Sequence, residues 1–349
     1  MKKLIAGLFA RTMGLSSQSL PRRIVLLDVG ARGGVQWPWN QLPHDALSVI
    51  SVEPDPDEAA QLRAQFAASG GDGKVLSTAL WRSDETLSLN LTRSPGASSV
   101  FTPARQMLEQ FPEAQRFDIM RKIEVRARSI DGLAARGEMP AVDFAKIDTQ
   151  GAELAILEGG VGRLSKDLVG LEVETEFARM YADQPLFADL DSFVRRNLGL
   201  ELWDLRKTYW KYNEGADAAG PTKGRLIFGD ALYLRSLDTL ERWLQQMPRS
   251  EAGEKIVMLA LTAYVYGYLD YATAVLNSPV ATRLAEPHHL SALLGTVRAC
   301  GNGFRPFRDG NSYIYFLLDG LARAFKPTHG GWASVDYHLG SRRRGPFWC

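Results

Sequence analysis

Three carboxylates stand at the ends of short apolar runs, each beside residues that suit a ligand-binding turn. Asp28 falls near the end of Ile24-Val-Leu-Leu-Asp-Val29 and is followed by Gly30-Ala-Arg-Gly-Gly34; Glu53 ends the run begun at Leu47; Asp148 ends Asp143-Phe-Ala-Lys-Ile147 and is followed by Thr149-Gln-Gly-Ala-Glu153. Strands of a parallel sheet that end this way deliver their carboxylates to one edge, where ligands of open α/β sheets bind. The position of Asp28 before the glycines discriminates between ligands. A nicotinamide dinucleotide would bring its pyrophosphate to this turn and meet repulsion, whereas the ammonium and sulfonium of S-adenosylmethionine would be attracted, directly or through water. Gly30, Gly33 and Gly34 admit close backbone approach, and Arg32 lies inside the same turn. Glu53 is placed to accept hydrogen bonds from a ribose diol, a role shared by both cofactor classes.

The elements that must hold these residues follow from the pattern of short β-rich runs alternating with amphipathic stretches. Seven strands are expected, near 24–29, 47–52, 74–78, 143–148, 168–174, 200–205 and 226–234. Helices over Ala59 to Ala68 and Ala152 to Leu164 connect the second to the third and the fourth to the fifth. Leu87 to Leu91, Ser98 to Phe101 and Ile123 to Ala127 suit a hairpin or edge extension. Beyond Ser236 the periodicity is helical without convincing strands, so the chain divides into a basic segment 1–23, a sheet domain 24–235 and a helical C-terminal domain 236–349 ending in a loose basic tail. The run Ile256 to Leu269 reads as a buried helix and not as a membrane span.

Forty-one Lys and Arg against forty Asp and Glu give a net charge of +1, which argues against a nucleic-acid surface and predicts no nucleic-acid partner. Two cysteines in 349 residues offer no disulfide framework or thiolate metal site and point to a reducing, cytoplasmic setting. The first 23 residues carry five Lys and Arg and no acid around Leu4-Ile5 and Leu8-Phe9. They lack a cleavable signal pattern, and are expected to form a frayed or packed end that could make weak peripheral contact with the inner face of a membrane.

Several ordered motifs together resemble the FkbM-type, S-adenosylmethionine-dependent methyltransferases. They are Asp28 to Gly34, Glu53-Pro54, Ala79-Leu80, Ser129-Ile-Asp-Gly-Leu133 and Lys146 to Glu153, in a resemblance that covers residues 24–235. It implies an α/β fold, the class I methyltransferase Rossmann-like, seven-stranded mixed sheet with helices on both faces, here followed by the α-helical C-terminal domain. It implies a transferase that carries out O-methylation on a hydroxyl of a carbohydrate, glycan or natural-product acceptor. Two positions depart from the family pattern: Thr149-Gln150 stands for valine and glutamate, and Gly132 for the second acid of an acid pair. Gln150 removes a charge from the ligand edge, which puts in doubt any role there that needs an acid.

Within that resemblance Asp148 is the first candidate for the general base, with Glu172 and Glu174 as competitors. Asp148 could instead cap the following helix, and Lys146 is read as its ion-pair partner. Ala79 and Leu80 would lie against the adenine. Ser98 and Ser99 sit where the family places a serine-containing stretch near cofactor or acceptor. Arg206, Tyr209 and Trp210, within Arg206 to Tyr212, are expected to leave the ligand edge and receive the acceptor through aromatic faces and cations. Asp148, Glu153, Glu172 and Glu174 could hold magnesium, but the scattered histidines support no zinc site and no obligatory metal is expected. Two other readings stay open: a non-catalytic cofactor-binding scaffold that docks a glycan-assembly partner through its helical domain, and an NAD-dependent oxidoreductase, disfavoured by Asp28.

Overall fold

The structure, a computed structural model, describes residues 15, 19–214, 223–301, 312–324, 332–336 and 339–340. Its centre is a twisted sheet built from β1 (Ile24–Val29), β2 (Leu47–Val52), β3 (Asp72–Leu76), with β4 (Ala79–Leu80), β5 (Glu85–Thr92) and β6 (Ile119–Arg128) set apart, then β7 (Phe144–Ile147), β8 (Gly170–Glu176), β9 (Glu201–Trp210), β10 (Arg225–Leu234) and β11 (Ala333–Val335). The order across the main sheet is β11-β9-β10-β8-β7-β1-β2-β3. β1, β2, β3, β7 and β8 are parallel, and β10 is antiparallel to both of its neighbours, β8 and β9. The chain reverses from β1 toward β2 on one side and toward β7 on the other, which opens a crevice at the carboxyl ends of these strands.

The seven expected strands are all in this sheet. The eighth, β11, comes from the segment read as strand-free and adds to the edge of β9. A three-residue strand carries no period of its own; it exists because β9 offers an unpaired edge. The runs between β3 and β7 form a second sheet, β4-β6-β5, in which β5 and β6 are antiparallel, while Ser99 makes only an isolated bridge to Asn90.

Side-chain alternation sorts the sheet into two faces. Leu27, Val29, Ile50, Val52, Ala145, Ile147, Leu171 and Val173 face one core, with residues of α2 (Ile130–Ala135), α3 (Glu153–Glu158), α4 (Val161–Asp167) and α5 (Phe187–Phe193). Ile24, Leu26, Val49, Phe144, Leu232 and Leu234 face the other. Phe66, from helix α1 (Pro56–Ser69), which joins β2 to β3, packs on that second core; Asp55 caps this helix by accepting from the Asp57 amide, and Pro56 occupies its first turn. The expected single helix over 152–164 is broken at Gly159-Gly160, which cap the end of one helix and the start of the next; Gly159 packs so closely on the Trp81 carbonyl that a Cβ there would come within 2.1 Å of its oxygen.

The remaining helices are α6 (Leu237–Leu244), α7 (Arg249–Val265), α8 (Leu269–Leu276), α9 (Pro279–Leu284), α10 (Pro287–Gly301) and α11 (Ser312–Ala324). Residues of α6 to α10 share one buried cluster with β1, β2, β7 and β10, so they form a layer on the sheet and not a separately packed unit. α7 is buried nearly all round, from Ile256 to Val265, as a helix between sheet and helices must be. Lys255 on α7 donates to Asp143 at 2.8 Å and to the Asp167 carbonyl at 2.6 Å, both fully withdrawn from solvent, and Arg22 pairs with the same Asp143 and with Glu254. Residues 19–23 of the basic N-terminal segment are therefore packed, whereas residues 1–14, 16–18 and the tail beyond Gly340 lie outside the described residues. Among the described residues no helix is long and apolar enough to cross a membrane.

Candidate active site

Two cross-strand rows place the charges. Asp28, Lys146 and Glu172 are register partners on β1, β7 and β8, an acid-base-acid row on the sheet face covered by the C-terminal helices. One step nearer the carboxyl edge, Glu174 is opposite Asp230, and Asp230 opposite Arg206, with Asp148 just beyond the end of β7. Opposite charges side by side on one face support each other, and the low surrounding polarity strengthens the effect. Burial works against the Lys146 ammonium, but Asp148, Asp28, Glu172 and Asp230 outweigh it and hold its pKa above the usual lysine value. Burial pushes Asp28 up to about 6, against the pull of Lys146 and with a further push from Asp148.

A cavity of about 300 Å³ opens at the carboxyl ends of β1, β2 and β7. Gly30, Arg32, Glu53, Ala79, Leu80, Ser98 and Asp148 line it, together with Asp55, Thr78, Thr149 and Gln150, which sequence reasoning did not assign to a ligand. Gly30 has φ +77°, and a Cβ there would meet the Asp148 carbonyl oxygen at 2.0 Å, so the β1 and β7 turns can touch only through a glycine. Glu53 is mostly buried; burial raises its pKa while the Asp55 amide, donating to Oε1 at 2.9 Å, opposes the rise. Arg32 pairs with Glu58 at 3.1 Å on the rim. Ala79 and Leu80 form β4 and give the cavity an apolar wall.

Other expected residues lie elsewhere. Asp28 does not line the cavity; it sits beneath the turn, beside Lys146. Gly33 and Gly34 border a separate recess with Trp39, His44 and Phe66. Ser99 is buried and donates to the Gln150 carbonyl at 2.7 Å, which makes it a support of the turn and not part of the lining. Glu172 and Glu174 are also withdrawn: the Tyr266 hydroxyl donates to Glu172, and Gln150 Nε2 donates to Glu174 at 2.6 Å. Asp148 remains the exposed acid, about a third of its side chain open, with Lys146 Nζ at 3.6 Å and Gln150 Nε2 at 3.3 Å.

The expected acceptor stretch is displaced because β9 runs five residues further than its sequence pattern suggested. Arg206 is held by Asp230 at 2.6 Å, Tyr209 carries Lys223 over its ring at 4.3 Å, and Trp210 is 2% exposed among Phe111, Phe117, Phe228 and Trp332. All three are sheet residues, and none lines the cavity. A more open groove of about 630 Å³ lies instead around Arg105, Met107, Phe177, Arg179 and Arg225, where β8 ends and β10 begins. Tyr181, donating to the Ala97 carbonyl at 2.8 Å, ties the segment that lines this groove to the Pro95-to-Ser98 wall of the cavity.

Among the described residues Glu153, Glu174 and Glu176 each bring an oxygen within 4.8 Å of the others. Glu176 was not among the expected metal candidates, and Glu172 and Asp148 are outside this group. Burial, and then the neighbouring carboxylates, push Glu174 and Glu176 well above the ordinary glutamate range. Glu153 accepts from the Thr149 amide at 2.7 Å and from its hydroxyl at 3.0 Å, which shapes the turn into α3.

The donors fit S-adenosylmethionine. An acid for a diol stands at the end of β2, an apolar wall at β4, and the charged lining of Arg32 against Glu53, Asp55 and Asp148 has an acidic excess that suits a cation. A pyrophosphate would face the same acids.

The chain is similar in structure to the methyltransferase FkbM of Methylobacillus flagellatus KT, with 14% identity, a TM-score of 0.34 and coverage of 62% of this chain and 48% of that one. It thus spans about half the length of that relative. Similarity also extends to a precorrin-6y C5,15-methyltransferase of Geobacter metallireducens GS-15 (12% identity, TM-score 0.32, 63% and 85% covered) and to a TehB-like SAM-dependent methyltransferase of Corynebacterium glutamicum (13%, 0.30, 65% and 87%). No curated protein matches the chain. The profile of the methyltransferase FkbM domain matches residues 28–201, from the acid near the end of β1 to the first residue of β9, and through this domain the chain belongs to the FkbM methyltransferase family.

Proposed function

We propose that the chain is an S-adenosylmethionine-dependent O-methyltransferase that acts on a hydroxyl of a carbohydrate or natural-product acceptor. The observation that carries this reading is the acid-lined cavity beside Gly30 into which Asp148, alone among the candidate bases, is open. When bound, S-adenosylmethionine supplies a methyl group on a sulfonium that is already a good leaving group. What the protein must add is alignment, a partly dry site and a place for one proton.

Glu53 would accept from the ribose hydroxyls, and β4 would cover the adenine. Asp148 Oδ would take the proton that the acceptor hydroxyl gives up, with the Lys146 ammonium 3.6 Å away. Arg105, Arg179, Arg225 and Phe177 in the adjoining groove suit an acceptor bearing a carboxylate or phosphate. The acceptor class itself rests on the family.

Isothermal titration calorimetry with S-adenosylhomocysteine and with NAD tests the reading: binding of the first and not the second supports it, and binding of NAD alone overturns it. A Glu53→Ala variant that bound S-adenosylhomocysteine as well as the native chain would move the cofactor out of this cavity.

A further inference from the structure

Helix α11 carries a row of exposed apolar side chains. Among the described residues none of those on α11 enters a buried cluster, and Tyr313, Phe316 and Leu317 are 86%, 68% and 64% exposed, with Ile314, Tyr315, Leu318 and Leu321 also exposed. Ile314, Leu317, Leu318 and Leu321 fall at i, i+3, i+4 and i+7, one apolar stripe, while Phe316 and Asp319 fall on the opposite side. Such a stripe left in water on a short helix costs free energy that a partner surface would recover.

The charge of the chain is divided in a way that says which partner. Residues 302–349 carry seven Lys and Arg against three Asp, and residues 1–23 carry five against none. The stretch between, 24–301, holds twenty-nine basic against thirty-seven acidic residues. The apolar helix thus belongs to a basic end of a chain whose body is acidic. An acidic protein surface could match the cations, but Tyr313 and Tyr315, one on each flank of the stripe, suit the headgroup zone of a bilayer, where one side of a ring is apolar and the other wet.

We propose that α11 is an interfacial helix that lays Ile314, Leu317, Leu318 and Leu321 into an anionic lipid bilayer, helped by the basic residues that flank it in sequence. The helix does not span; it lies in the surface plane, and the acidic body is turned away from the lipid. This contact is independent of the cofactor cavity, so its failure would leave the methyltransferase reading intact.

Co-sedimentation of the full chain with phosphatidylcholine vesicles, with and without phosphatidylglycerol, tests it. The expected result is pelleting with the anionic vesicles, weakened by added salt, and lost by roughly tenfold or more in the double variant Leu317→Glu, Leu318→Glu. Both side chains are exposed, so circular dichroism and the melting temperature of the variant should match the native chain. Absence of pelleting at low salt would overturn the proposal, as would pelleting that the double variant leaves unchanged. A dimer in light scattering that the double variant abolishes, with no vesicle binding, would assign the stripe to a second copy of the chain instead.

Discussion

Asp148 and Asp28 lie close together at the edge of the sheet, yet their surroundings give them different work. Asp148 is partly open and beside Lys146, so replacing it with asparagine should remove the proton acceptor and little else. We expect Asp148→Asn to lower kcat by about 10²–10⁴ with the affinity for S-adenosylhomocysteine nearly kept, read by calorimetry alongside turnover on the true acceptor. Full turnover in that variant would end its assignment as the base. Asp28, buried, keeps its proton in the folded chain over a range where the unfolded chain has lost it. Its folded pKa of about 6 stands above 3.8, so its contribution to stability falls as pH rises between these values and is level above them. Asp28→Asn removes that loss: relative to the native chain it should gain up to roughly 3 kcal/mol between about pH 4 and about pH 7 in urea unfolding, while binding the cationic cofactor more weakly. Parallel pH curves for the two proteins would contradict this.

Gln150, the departure from the family's glutamate, adopts φ +59° and bridges Asp148 and Glu174 with one amide. A glutamate there would add a carboxylate where burial and neighbouring acids already raise Glu174 and Glu176. Gln150→Glu should therefore destabilise the chain by about 1–3 kcal/mol at neutral pH, with recovery as pH falls and the shared protons return, a trend that thermal melts at several pH values would reveal. Equal melting temperatures at every pH would argue that a cation is bound among these acids.

At the scale of elements, the sheet's face selection puts the charged row of Asp28, Lys146 and Glu172 on the side covered by α7. Tyr266, the residue that follows α7 as its C-cap, donates to Glu172 and receives the Trp39 indole N–H at 3.2 Å. The helical layer thus completes the polar wiring beneath the cofactor turn. Tyr266→Phe leaves a buried carboxylate short of a donor and should cost about 1–3 kcal/mol in denaturant unfolding; a cost near zero would mean Glu172 is protonated and satisfied elsewhere.

For the whole molecule, the junction between sheet and helices rests on one buried charge pair as well as on apolar area. Lys255 and Asp143 are each about 1% exposed, and Asp143 also receives Arg22 and the Val25 amide. Removing one partner strands the other, so Lys255→Met should destabilise by about 3–5 kcal/mol and unfold sheet and helices together, which coincident fluorescence and circular dichroism transitions would show. Separate transitions would mean that the helical layer folds as its own unit.

The local text determined the strands of the sheet, the two glycine-bearing turns and the acids at their ends, because alternation, β-branched runs and glycine turns act within a few residues and leave their mark there. It also determined that Glu53, Asp148, Gly30, Ala79 and Leu80 would meet, since all follow or end parallel strands of one edge. Only the tertiary structure decided that β9 continues to Trp210 and withdraws it into an aromatic core, that Glu172 and Glu174 are spoken for by Tyr266 and Gln150, and that residues 333–335 close the sheet edge. Those outcomes depend on pairing and burial between segments far apart in the chain, such as the 94 positions between Glu172 and Tyr266, and no spacing along one strand or helix encodes such a partner.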